Sequence, residues 1–125
     1  MPTIEKIEQI KKPEINIDEL MSVINNITWK ERHEFSYNGS HFLLLLDSEE
    51  ETDSVSDGAE YHQSTAIRGW DIYILNTLSG EARDRRLFHE ILECNLKDQG
   101  FFDDAHDLAR EEEEKAFGQR KKDIN

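Results

Sequence analysis

The sequence predicts an α+β fold: an N-terminal helix, a small and mostly antiparallel sheet of about four strands, and two C-terminal helices. Three observations carry this. Apolar residues recur at helical spacing over residues 20–27, switch to strand-like runs at 42–46 and 70–75, and return to helical spacing from about Ala82. Asn38-Gly39, lying between two such runs, is the dipeptide favoured by a type I′ hairpin turn. Gly100 and Gly118 stand where two helical patterns stop.

Taken in order, residues 1–15 are polar, hold both prolines of the chain and show no persistent period, so they read as a flexible segment ahead of one domain spanning 16–118. The first helix begins near Asn16, with Asp18 as its cap and Leu20, Val23, Ile24 and Ile27 at helical spacing, and runs to Trp29. Glu34-Phe35-Ser36-Tyr37 and the run from His41 to Leu46 flank the Asn-Gly turn as two antiparallel strands. The unbroken apolar stretch 42–46 fits a central strand buried on both faces. Residues 47–58 are acidic, serine-rich and nearly without apolar anchors, which predicts a mobile loop, and their carboxylates lack the ordered spacing of an EF-hand. Residues 60–67 and 70–75 supply the third and fourth strands, separated by Arg68-Gly69. Ser79 and Gly80 lead into a helix from about Ala82 to Lys97, ended at Gln99-Gly100. Asp103 or Asp104 caps a last helix that reaches about Phe117, and residues 119–125 read as a flexible tail.

Composition narrows the function classes. With 36% hydrophobic and 34% charged residues in 125, the chain is a single soluble domain with one modest core. A formal net charge of −13 argues against direct contact with nucleic acid or an anionic membrane surface. A basic protein, a peptide or a cation fits better as partner. The lone Cys94 excludes an intramolecular disulfide and a cysteine-based zinc knuckle. No apolar run approaches the ~18 residues of a membrane span, and Met1-Pro2-Thr3-Ile4-Glu5 lacks the order of a signal peptide, so a cytoplasmic location is expected.

The chemistry concentrates in Leu87-Phe88-His89-Glu90-Ile91-Leu92-Glu93, which nearly spells the H-E-x-x-H signature but ends in Glu. On a helical wheel, Leu87, Phe88, Ile91, Leu92 and Leu96 share a broad apolar arc, and His89 and Glu93 lie together at its edge, as two metal ligands at i and i+4 must. Glu90 points about 100° away from His89, compatible with a general-base role beside the same ion. In the last helix, Ala105, Leu108, Ala109, Glu112 and Ala116 form a stripe with Glu112 in its middle, and a carboxylate facing a core needs a cation. His106 and Glu113 occupy a neighbouring face, and Asp104 stands at the helix start. His89, Glu93 and one of His106, Glu112 or Asp104 therefore form a candidate three-ligand site for zinc or another divalent metal. The same residues also fit plain helix packing, with His89 at a helix–helix contact, Glu93 paired with Lys97, and the run from Glu111 to Glu114 paired with Lys115 or Arg110. His33, His41 and His62 read as ordinary strand residues, Cys94 as a small buried side chain, and Trp29 and Trp70 as core anchors.

An N-terminal helix, a small antiparallel sheet, the strand Trp70-Asp71-Ile72-Tyr73-Ile74-Leu75 and the run from Arg85 to Ile91 leading into Ala105-His106-Asp107-Leu108-Ala109 resembles the minimal zincin-like metallopeptidases over about residues 16–118. The resemblance implies that His89 is a ligand, that Glu90 activates water, and that an edge strand precedes the active-site helix. Glu93 stands where that family carries its second His, which implies a weak, selective or inactive peptidase. The competing expectation is a non-enzymatic module whose acidic segments, 49–57 and 111–114, bind a basic protein as inhibitors, immunity-type proteins or nucleic-acid mimics do.

Overall fold

The computed structural model describes residues 12–29, 32–47 and 59–118. Of the flexible segment expected over 1–15, residues 1–11 lie outside the described residues, as do all but Asp47 of the mobile loop expected over 47–58 and the whole tail 119–125. The elements run α1 (Ile17–Asn25), β1 (Arg32–Tyr37), β2 (Ser40–Asp47), β3 (Ala59–Gln63), β4 (Trp70–Leu75), α2 (Gly80–Asp98) and α3 (Ala105–Phe117). The architecture is α+β, as the patterning predicts.

Asn16, not Asp18, caps α1: its side-chain oxygen accepts from the Glu19 amide at 3.0 Å, which leaves Asp18 inside the first turn. The helix ends at Asn25, four residues short of Trp29. In the hairpin, Asn38 and Gly39 both take positive φ, 49° and 85°, as the I′ turn requires, and pair Tyr37 with Ser40.

The strand order is β1-β2-β4-β3. β1 with β2 and β3 with β4 are antiparallel, whereas β2 and β4 are parallel, so the sheet is mixed. β2 is central, with Phe42 and Leu44 buried on the helix-facing side, whereas on the opposite face Leu43 is buried, Leu45 half-buried and His41 exposed, so the expected burial on both faces is met only in part. On the helix-facing side, Tyr37, Phe42, Leu44, Trp70, Ile72 and Ile74 join Leu20 and Ile24 of α1 and Leu87, Phe88, Ile91 and Leu92 of α2 in one core. β3 stops at Gln63 instead of reaching Ile67, because the Ser64 hydroxyl accepts from the Ala66 and Ile67 amides and turns the chain. α2 ends as expected, with Gly100 at φ 99° and the Phe101 amide returning to the Leu96 carbonyl. α3 packs on α2 through the fully buried Ala105 and Ala109, small side chains that let the two backbones approach closely. No helix among the described residues is long and apolar enough to cross a membrane.

Candidate metal centre

α2 supplies the first pair. His89 and Glu93, one turn apart, have side chains only 4% and 9% exposed, and His89 Nε2 lies 3.1 Å from Glu93 Oε1. α3 brings the third residue: His106 Nδ1 is 3.2 Å from His89 Nε2 and 3.4 Å from Glu93 Oε1. The two imidazole rings meet edge-on, with centroids 4.8 Å apart. The three donor atoms thus form a nearly equilateral triangle. The His106 side chain is 59% exposed, so the triangle reaches the surface on the α3 side.

Both α2 residues are held from behind. His89 Nδ1 lies 3.2 Å from Glu113 Oε1, and Glu113 is fully buried. Its second oxygen accepts from Arg85 Nε at 2.6 Å, and Arg85 Nη2 donates to the Gly118 carbonyl at 2.6 Å. On the other side the Tyr61 hydroxyl, carried by β3, donates to Glu93 Oε2 at 2.8 Å and accepts from Lys97 Nζ. Lys97 Nζ is also 4.0 Å from Glu93 Oε2.

The electrostatics follow from these contacts. Burial pulls the His89 pKa down, but hydrogen bonds to Glu113 and Glu93 outweigh it and raise the value to about 9. Burial raises Glu93, yet its bonds to His89 and Tyr61 win and bring it down to about 2. Burial, and then the bond to Glu93, push the Tyr61 hydroxyl up, so it stays a donor across the working pH range. Burial likewise pushes up the Cys94 thiol, a free and fully buried core side chain.

Of the candidates read from the sequence, the fold brings His89, Glu93 and His106 together as a group that could hold a metal ion. No known protein family, curated protein or solved structure matches this chain, so the reading of this group rests on its own geometry.

Glu112 does not join it. Its side chain is 21% exposed and lies 3.4 Å from Lys115 Nζ. The buried carboxylate of α3 is its neighbour Glu113, because the face turned to α2 follows Ala105, Ala109 and Glu113 at i, i+4 and i+8, rotated from the stripe the apolar residues mark. The run from Glu111 to Glu114 is therefore not a uniform acidic face. Glu90 is half-buried beside the group, and its charge is among those that raise His89. Asp104 is exposed at the cap position of α3, where its side chain makes no capping bond. Away from the centre, His62 pairs with Glu60 at 3.3 Å and His41 with Ser36 at 2.9 Å, as ordinary strand residues.

The residues the motif did not single out are Arg85, Tyr61 and, as the buried acid, Glu113. Arg85 was legible in principle: Arg85, His89, Glu93 and Lys97 recur every four residues, a ladder of ionisable side chains along one side of the helix. Tyr61 carries no such signal, because only sheet packing brings β3 to α2.

Proposed function

We propose that the chain binds a divalent transition-metal ion, zinc first, through His89 Nε2, Glu93 Oε1 and His106 Nδ1, and that its function rests on the ion held there. One observation carries this: with Glu93 ionised, no placement of protons makes all three sides of the triangle attractive. If both ring nitrogens donate to Glu93, their N–H groups confront each other across 3.2 Å. If His106 Nδ1 accepts from His89, its lone pair confronts the carboxylate oxygen at 3.4 Å. If His89 Nε2 is unprotonated, it faces that oxygen lone pair to lone pair at 3.1 Å. A single cation between the three removes every one of these conflicts. The size agrees too, since tetrahedral zinc with bonds of about 2.0–2.1 Å needs donor–donor edges of about 3.3–3.4 Å. The edges here are 3.1, 3.2 and 3.4 Å.

Two imidazoles and one carboxylate, with a fourth ligand left to water or substrate, is the donor set of catalytic rather than closed structural zinc sites. The chemistry it supports is activation of water for hydrolysis, with Glu90 as the base in a zincin-like reading. Glu93 donates negative charge to the ion, which leaves bound water less acidic than a neutral-imidazole set would, and fits a weak or selective hydrolase.

Equilibrium dialysis against zinc tests the binding. One ion per wild-type chain is expected, with retention lost in His89→Ala and in His106→Ala; equal, substoichiometric zinc in wild type and His89→Ala overturns the reading. Peptide hydrolysis by zinc-loaded protein that disappears in Glu90→Gln, with zinc retained, supports the hydrolytic role. Hydrolysis unchanged by that substitution removes Glu90 from it.

A further inference from the structure

We infer that Glu113, neutralised by Arg85, is a positioning residue that fixes which nitrogen of His89 is offered to the ion. The inference rests on the metal-binding reading and adds a second layer to it. His89 carries two candidate donor nitrogens, and only Nε2 belongs to the triangle. Nδ1 faces Glu113 Oε1 at 3.2 Å. An ionised carboxylate only accepts, so Nδ1 keeps its proton and Nε2 is the nitrogen whose lone pair turns to the ion. The ring cannot exchange the two without setting a lone pair against Glu113.

Glu113 can do this only if its charge survives with a side chain 0% exposed. Arg85 supplies the reason. Its Nε donates to Oε2 at 2.6 Å and its Nη2 is anchored on the Gly118 carbonyl, so the guanidinium matches the carboxylate's charge and leaves its other oxygen aimed at His89. Arg85 and His89 are one turn apart on α2, whereas Glu113 and Gly118 belong to α3 and its C-terminal stop. The pair therefore sets the position of α3, and of His106 with it, relative to the ligands of α2. Arg110 Nε, at 3.8 Å from Glu113 Oε1, adds positive charge without displacing His89.

Removing Glu113 alone leaves the buried Arg85 without its one buried carboxylate, with only the Gly118 carbonyl and the exposed Glu81 as acceptors in reach among the described residues, and endangers the fold. The informative protein is thus the double variant Arg85→Met/Glu113→Leu, in which both charges and the acceptor for His89 Nδ1 disappear, measured beside Glu113→Gln and His89→Ala. Zinc affinity is read by chelator competition, folding by thermal melting, and His89 by the slowly exchanging ring N–H signal of the cobalt-loaded protein. Expected in the double variant are a near-native melt, an affinity lower by about 10–100-fold, and loss of the slow exchange at Nδ1. Zinc affinity and the ring N–H signal both unchanged, while His89→Ala abolishes binding, would overturn the positioning role and leave the metal site standing. A wild-type chain that binds no zinc overturns both.

Discussion

At the scale of single residues, His89 is the point on which the centre turns, because it stands between two carboxylates that are both out of water. In the ion-free chain Glu93 and Glu113 hold it protonated, with a pKa raised from 6.5 to about 9 despite burial. A raised histidine stabilises the fold fully below its unfolded pKa, and that contribution is lost as pH climbs through the folded value. Glu93, lowered from 4.5 to about 2, stabilises above its unfolded pKa and loses its share as pH falls through about 2. The two shifts largely describe one interaction. Urea midpoints of the ion-free protein should therefore stay level between about pH 4.5 and 6.5, then decline between about 6.5 and 9. In His89→Gln the alkaline decline should flatten, and a wild-type midpoint unchanged across it would contradict the contacts. The sequence exposed this residue through its motif, but it pointed to Glu112 as the buried acid of α3. Apolar side chains mark a stripe, whereas the face actually buried is chosen by the Arg85–Glu113 ion pair, whose strength at 2.6 Å no wheel reveals.

Among the elements, α2 is fixed to the hairpin by Asn95, which is 1% exposed. Its Nδ2 donates to Ser40 Oγ at 2.7 Å and to the Asn38 carbonyl at 3.2 Å, while its Oδ1 accepts from Asn38 Nδ2 at 3.0 Å and Gln99 Nε2 at 2.8 Å. Asp98 adds a second tie, accepting from Ser40 Oγ at 2.6 Å and from the Trp70 indole at 3.0 Å. Asn95→Ala strands several of these groups and should cost about 1–3 kcal/mol in equilibrium unfolding; a loss below the error of the measurement would show that the hairpin docks without it. Gly69 is a different case. A Cβ there would stand 2.2 Å from the His41 carbonyl oxygen, a backbone atom, so Gly69→Ala must displace the loop from β2 and should destabilise by roughly 1–3 kcal/mol, read as a lower melting temperature. Most elements were legible from period and punctuation: the hairpin from Asn38-Gly39, and α2 to within two residues at its start. Apolar spacing carries β3 on to Ile67, whereas the strand stops at Gln63, because the Ser64 hydroxyl bonds that end it depend on a local fold of the chain that such spacing does not record.

For the whole molecule, the His89–Glu93–His106 group spans α2 and α3, two helices that also meet through the buried Ala105 and Ala109, the Phe88–Phe117 ring contact and the Arg85–Glu113 ion pair. An ion that binds only the folded chain stabilises it by mass action, about 2.7 kcal/mol at a free concentration 100 times Kd. Zinc should therefore raise the melting temperature of wild type and slow amide exchange in α3, and do neither in His106→Ala. A wild-type melt insensitive to zinc would count against an ion that bridges the helices. The sequence by itself determined the α+β class, the order of helices and strands, the central position of β2 and the placing of His89 and Glu93 on one helix face, because each follows from spacing along a single segment. Only the tertiary structure decided that β4 lies between β2 and β3 and parallel to β2, that His106 and not Glu112 meets the α2 pair, and that Glu113 and Tyr61 stand behind His89 and Glu93. Those are contacts between segments far apart in the chain, set by how layers pack and which buried charges find partners, and no local pattern encodes them.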